Sequence, residues 1–479
     1  MSFSSIIFLF GFLPAALLLH FISPVKMRNA VLLLLSLFFY TWGEVGYAWI
    51  LGVSILVNYA GALLIDRWRN RLAVTAAVAL NIGLLVLFKY LSFLTESLNI
   101  VFRWFHVAPI TDPGMHLPIG ISFYTFKAVS YLIDVYRKEV SANRNLFHVA
   151  LYLSLFPNVT AGPIDRYKGI AEAIRHRSIT LEGFATGVQR FIIGLGKKVL
   201  LASTLAGTVD RIYQIPPSEL TTVLSWFAAV CYTLQIYFDF SGYTDMAVGL
   251  GQMFGFRLME NFDFPYRSAS IQEFWRRWHI SLSTWFRDYL YIPLGGNRKG
   301  EMRTYINLAV VFFLCGLWHG ANWTFVIWGL FHGLFLILER AGLAAWLKRT
   351  WKPIAHVYAM LVVTIGWVFF RSASLGEATG MLKAMFGAAQ GDGVAQPFEF
   401  FWDRHIGFVL VCSIAFSMPV SRWLVEGKEA FLKSVPEAYR NLLNGGWEIT
   451  TLCGLLLVMI ASMASVAAGV YQPFIYFKF

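Results

Sequence analysis

Leu317-Trp318-His319-Gly320-Ala321-Asn322-Trp323, followed shortly by Leu330-Phe331-His332-Gly333, sets two histidines and an amide between tryptophans inside otherwise unbroken apolar sequence. Tyr305–Leu317 leads into this stretch, and Asn322–Leu338 continues or returns from it. Apolar runs of this kind read as membrane helices, for which about 20 residues cross the hydrocarbon. An imidazole takes and returns protons near neutral pH, and ionisable groups at membrane depth face the protein interior or a water-filled cavity. His319 is therefore a candidate proton-transfer group; the plainer reading is a histidine bridging two packed helices. Asn322 lies three residues beyond it, which on one continuous helix gives the two side chains a common face. His332 lies thirteen residues on, about 140° around such a helix, which makes it a supporting residue.

The chain around this stretch has 479 residues, 57% hydrophobic and 14% charged, against about 25% charged in soluble domains. The fold class is all-α, a polytopic integral membrane protein. Lys and Arg exceed Asp and Glu, giving a formal charge of +12. The basic residues come in short clusters between apolar runs, the pattern of cytoplasmic loops and anionic headgroups rather than of a nucleic-acid-binding domain. Cys231, Cys315, Cys412 and Cys453 lie far apart in apolar surroundings, with no CxxC or Cys/His metal spacing. No basic residue precedes the run Ile6 to Ile22, while Lys26 and Arg28 follow it. That arrangement marks a retained first span with its N-terminus on the periplasmic side.

Spans are expected near Ser5–Ile22, Asn29–Thr41, Tyr47–Ile65 and Ala73–Leu94, and their loops alternate between basic (Lys26, Arg28), non-basic (Glu44) and basic (Arg67, Arg69, Arg71). Leu151–Gly162 is interrupted by Pro157, Asn158 and Gly162 and reads as a re-entrant piece, since broken backbone at membrane depth needs protein or a cavity around it. Asp165 to Arg177 is a basic loop. Phe184–Ser203 is amphipathic, and Trp226–Leu250 carries Asp239 and Asp245. On an unbroken helix those carboxylates stand about 600° apart, with Gly242 a possible break. Each needs a proton or a partner, whether to lock helices together or to serve catalysis. Ile271–Tyr291 has Phe274, Trp275, Trp278, Leu282, Trp285 and Tyr289 on one face and Arg276, Arg277 and Arg287 on the other, the pattern of a helix lying in the headgroup plane. His279 falls on the border between these faces. Further spans follow at Ile354–Phe370, His405–Met418 and Ile449–Val470, with a little-structured loop over Arg371–Arg404. The count reaches about eleven crossings in one membrane-embedded domain, 1–479: N-terminal helical hairpins over 1–94, a core over 118–340 and C-terminal helices over 354–479.

Four ordered phrases carry a family resemblance: Tyr237-Phe238-Asp239-Phe240-Ser241-Gly242-Tyr243-Thr244-Asp245, Trp275-Arg276-Arg277-Trp278-His279-Ile280-Ser281, Arg287-Asp288-Tyr289-Leu290-Tyr291-Ile292-Pro293-Leu294-Gly295-Gly296-Asn297, and Leu317 to Trp323. Together with the ending Gln472 to Phe479, they resemble the membrane-bound O-acyltransferases (MBOAT), in the bacterial branch that acetylates alginate. The resemblance implies that His319 is the family's essential histidine. It further implies an acyl thioester donor, acetyl-CoA, reached from the cytoplasm of an inner-membrane enzyme. The acceptor it implies is an exported polysaccharide, acylated directly or through a periplasmic serine-type acetyltransferase or esterase partner.

In this scheme His319 is the general base, supported by Trp318, Asn322 and His332, with Asn322 orienting the ring or donating to a developing oxyanion. Arg276, Arg277, His279 and Arg287 are donor-binding candidates, because arginine's fork suits the phosphates of CoA; lipid phosphate is an equally good use of them. Asp239 and Asp245 shape the channel. Two alternatives stay open, a multi-pass transporter with His319 as a proton relay and a non-catalytic scaffold of a polysaccharide export complex. The absence of two repeated halves counts against the transporter.

Overall fold

The structure, a computed structural model, describes residues 1–389, 396–469, 474 and 475. Eighteen helices carry these residues, and none of the described residues is in a strand. In chain order they are α1 (Ile7–Ile22), α2 (Arg28–Gly43), α3 (Ala48–Trp68), α4 (Arg71–Trp104), α5 (Ile121–Arg137), α6 (Leu146–Ser154), α7 (Tyr167–Arg175), α8 (Leu181–Ile212) and α9 (Thr222–Met253). There follow α10 (Ile271–Arg277), α11 (Ile280–Phe286), α12 (Glu301–His319), α13 (Trp323–Arg349), α14 (Lys352–Arg371), α15 (Leu375–Met385), α16 (Arg404–Ser417), α17 (Val420–Ser434) and α18 (Glu437–Ala467). Among the described residues eight helices are long and apolar enough to cross a membrane, or nine if α16 and α17, bent by 64°, form one broken span. The all-helical membrane architecture read from the sequence is thus the one observed. The apolar runs at α1 and α2 form helices where spans are expected, each short of 18 residues. The expected ending, Gln472 to Phe479, lies outside the described residues except for Phe474 and Ile475.

Several polar groups inside this apolar body are paired across helices. Asn58 on α3 and Asn81 on α4 exchange amide hydrogen bonds of 3.0 and 2.9 Å, the kind of interhelical contact worth about 0.6 kcal/mol in a membrane. Helices α8 and α9 cross at reciprocal glycines. A Cβ on Gly194 would meet the Gly242 carbonyl at 2.6 Å, and one on Gly187 would meet the Gly249 carbonyl at 2.7 Å. Small residues let backbones approach this closely. Gly242 therefore sits inside an unbroken α9, and the close crossing brings cations on α8 against the carboxylates of α9. Lys198 pairs with Asp239, while Asp245 accepts from Lys197 at 2.7 Å and Arg190 at 2.9 Å. Asp239 also accepts the Ile475 backbone N–H at 2.8 Å, tying the described part of the C-terminal tail to the core.

The two ends of α2 mark two faces of the molecule. At its start, Asn29 donates to the Ile174 carbonyl at 2.7 Å and accepts from Arg177, so the basic turn at Lys26 and Arg28 meets the basic segment around α7. At its far end, Glu44 accepts the Ile119 N–H at 2.9 Å and stands 3.3 Å from His116. Of the broken stretch Leu151–Gly162, residues 151–154 end α6 and the rest, with 163–165, is irregular and buried within the protein. Their polar groups are satisfied internally: Lys127 donates to Asn158 at 2.8 Å, and Asn158 donates to Asp165 at 2.9 Å.

Three expectations are corrected. Ile271–Tyr291 is not one helix in the headgroup plane. It breaks at Trp278 and His279 into α10 and α11, with a wider π-type turn over Arg287–Tyr291. Its aromatic face packs into the protein core, with Phe274 and Trp278 essentially unexposed; an amphipathic pattern does not distinguish lipid from a protein partner. The interval Arg371–Arg404 holds α15, whose Met381 and Met385 join a buried cluster with Leu224 and Val368; residues 390–395 of this interval lie outside the described residues. Asn322 does not share a helix with His319, because the chain leaves α12 at Gly320.

Candidate active site

His319 is the last residue of α12, 3% exposed. Its ring is enclosed edge to face by Trp318 (5.0 Å between centroids), Trp328 (4.9 Å) and Phe370 (5.3 Å), with His279 at 6.4 Å. The helical hairpin of α12 and α13 holds this arrangement through close backbone contact: a Cβ on Gly316 would meet the Phe325 carbonyl at 2.3 Å, and one on Gly329 the Phe312 carbonyl at 2.2 Å. Gly320 lies under the Phe325 ring, which a Cβ there would strike at 2.2 Å. The His-Gly pair of the sequence thus has a packing reason, namely that the chain must turn sharply out of the helix beneath an aromatic ring.

His279 is fully buried and adopts a left-handed backbone, φ 44° and ψ 55°. Such a conformation costs a non-glycine residue of order 1–3 kcal/mol and persists only where its surroundings over-determine it. Here Asn261 supplies the restraint, its carbonyl accepting Ile280 N–H at 3.0 Å and its Oδ1 accepting Ser281 N–H at 3.1 Å. The Ser281 hydroxyl accepts Ile164 N–H at 3.0 Å, joining the re-entrant segment to the same corner. Burial pushes the His279 imidazole from 6.5 down to about 3, so it is neutral at physiological pH. The structure places His279 in the core beside His319 rather than at a surface that meets a phosphate.

The other candidates divide. Arg276 and Arg287 line one cavity of about 460 Å³ together with Trp275, Ser283, Phe312 and Cys315. Cys315 lies one turn before His319 on α12, and residues four apart on a helix are neighbours. Arg277 stands outside this cavity, bonded to Glu273 at 3.0 Å and Asp263 at 2.6 Å. Asn322 caps α13, accepting Thr324 N–H at 3.0 Å, and its amide donates to the Ala373 carbonyl at 3.0 Å. Its carbonyl and its amide are thus both engaged away from the His319 ring, because the break at Gly320 turns it to another helix. His332 is fully buried on α13 among Trp275, Trp328 and Phe331, where a Cβ on Gly366 would meet its Nε2 at 2.7 Å. Trp328 lies between the two histidines. Asp239 and Asp245 hold α9 to α8 through their ion pairs.

A second, smaller cavity of about 60 Å³ touches His319 itself and is lined by Lys89, Gly120, Ser122, Thr160 and Trp318. It shares Ile119 and Thr160 with a neighbouring cavity of about 210 Å³ bounded by Met1, Tyr40 and Glu44. Thr160 is fixed by a 2.6 Å bond to the Tyr243 hydroxyl. The two cavities thus lie side by side, one at His319 and the other at Glu44. The larger cavity at Arg287 borders the basic face, since the adjacent Asp288 pairs with Arg166 at 2.7 Å. Sequence reading missed Lys89, Ser122 and Thr160, which come from segments far from His319 in the chain. Lys89 left a usable signal, a lone lysine in the apolar run from Asn81 to Leu94.

A buried histidine that ends a membrane helix, lines one cavity and stands one turn from the wall of another marks an integral membrane protein with an internal polar site. Residues 100–371 match the membrane-bound O-acyltransferase family. The chain is 40% identical to the probable alginate O-acetylase AlgI of Azotobacter vinelandii over the whole of both chains, and 46% identical to that of Pseudomonas aeruginosa over 81% of this chain and 75% of the relative. It is 37% identical to the peptidoglycan O-acetyltransferase of Helicobacter pylori over 80% of each. The chain belongs to the membrane-bound O-acyltransferase family and is an O-acyltransferase.

Proposed function

We propose that this protein acetylates hydroxyl groups of an exported polysaccharide, taking the acetyl group from a thioester, acetyl-CoA, on the cytoplasmic side of the inner membrane. The observation that carries the reading is the position of His319, which lines the cavity beside Lys89 and stands one helical turn from Cys315 in the wall of the Arg276–Arg287 cavity. The relatives named for alginate and peptidoglycan acetylation support a polysaccharide acceptor. The basic segments at Lys26–Arg28 and around α7 meet on one face, which by the charge rule is the cytoplasmic one; the N-terminus is then periplasmic, as is the Glu44 face.

In the reaction His319 removes the acceptor hydroxyl proton as that oxygen attacks the thioester carbonyl. The C–S bond breaks, and the imidazolium returns the proton to the leaving thiolate; positioned acid–base catalysis of this kind contributes typically 10²–10⁴-fold. Arg276 and Arg287 hold the phosphates of the donor, Arg287 with its charge shared by Asp288. A periplasmic serine-type transferase receives the acetyl group where the polymer itself does not reach the site; its serine hydroxyl is then the acceptor in the same step. Purified protein in detergent, given acetyl-labelled CoA and a polysaccharide acceptor, tests the reading. Thiol release with label on the acceptor is the expected result, and acceptor movement without thioester cleavage would favour a transporter.

A further inference from the structure

The last four carbonyls of any α-helix lack intrahelical partners and carry its negative dipole end. In α12 these belong to the turn that bears His319. The Gly316 carbonyl accepts Gly320 N–H at 3.3 Å. The other three are met from α4: the Tyr90 hydroxyl donates to the Leu317 carbonyl at 2.8 Å, and Lys89 Nζ donates to the Trp318 carbonyl at 2.5 Å and the His319 carbonyl at 3.3 Å. The same ammonium lies 3.3 Å from the Ser122 hydroxyl and 5.9 Å from the Trp318 ring. Lys89 and Tyr90 are adjacent in sequence, and consecutive residues of a regular helix diverge by about 100°. Both reach this helix end from a π-type turn of α4 over Val86–Tyr90, a distortion that recurs at functional sites.

We infer that Lys89 and Tyr90 are positioning residues for the acyl transfer: the π-turn of α4 aims both at the carboxyl end of α12 and fixes the turn that carries His319. This rests on the reading of His319 as the base. A lysine at membrane depth is expensive unless it has such partners, and here its amino group meets the carboxyl end of α12 while lining the cavity that touches the base. Lys89 acts through the backbone of His319.

The test compares Lys89→Met, Lys89→Gln and Tyr90→Phe with the parent protein and His319→Ala, measuring kcat, donor KM and thermal stability of purified protein in detergent. Misplacing a catalytic group by about 1 Å can cost ~100-fold. Lys89→Met is therefore expected to lose about that much in kcat with donor KM unchanged, Lys89→Gln to recover most of it by restoring a donor, and Tyr90→Phe to lose several-fold. A folded Lys89→Met with parental kcat overturns the inference, as does equal loss in Lys89→Met and Lys89→Gln that tracks lowered thermal stability. Full activity in His319→Ala overturns the base reading and with it this one, whereas inactive His319→Ala beside fully active Lys89→Met overturns the positioning role alone.

Discussion

The imidazole rings of His279 and His319 stand edge to face with 6.4 Å between centroids, and Trp318 packs against both. They arrive from different parts of the chain, His279 from the break between α10 and α11 and His319 from the end of α12. Both sit where a helix stops. The neutral His279 adds no positive charge beside the base, and its strained backbone is held by Asn261.

That burial makes His279 a pH-dependent contributor to stability. Its folded pKa of about 3 lies below the ordinary 6.5, so between these values the unfolded chain binds the extra proton and stability rises with pH. The contribution is fully present above about 6.5 and is lost as pH falls toward 3. Melting temperature in detergent is expected to fall from pH 7 to pH 4, with a shallower slope in His279→Gln; identical slopes would contradict this.

Asn322 is expected to matter for folding more than for chemistry. Removing an N-cap costs about 1 kcal/mol, so Asn322→Ala lowers the melting temperature while kcat stays within a few-fold and Asn322→Asp restores stability. A large kcat loss in a fully stable Asn322→Ala would return it to the reacting centre.

The fold's outline was legible because membrane helices announce themselves as long apolar runs, and His319 because an ionisable group inside one is conspicuous. What the sequence did not disclose depends on helix ends and tertiary partners. The break at Gly320 redirects Asn322 to α13 and Ala373. The break at His279 turns an expected interfacial helix into core. The cations that meet Asp239 and Asp245 become visible only once the glycines of α8 and α9 cross. Lys89 reaches His319 across 230 positions of sequence, which no local pattern records.

The buried pair of Lys198 and Asp239 gives a third expectation. Removing one partner strands the other charge, a loss of about 3–5 kcal/mol in buried pairs. Lys198→Met alone is expected to abolish folded yield, while Lys198→Met with Asp239→Asn recovers it, since asparagine still offers an oxygen to Ile475 N–H. No recovery in the double variant, by size-exclusion profile and melting temperature, would contradict the assignment.

At the donor cavity, Arg276→Ala is expected to raise the KM for acetyl-CoA about 10-fold with kcat little changed, the signature of lost uniform binding. Arg277→Ala should instead lower stability through its bonds to Glu273 and Asp263. A donor KM that responds to Arg277 and not to Arg276 would place the donor elsewhere.

The most direct test of the central claim is the initial rate of thioester cleavage, in the presence of acceptor, by purified His319→Ala whose melting temperature matches the parent. Loss of acid–base catalysis predicts a fall of about 10²–10⁴-fold in kcat with acetyl-CoA still bound. A parental rate from that folded variant would contradict the assignment of His319 as the base.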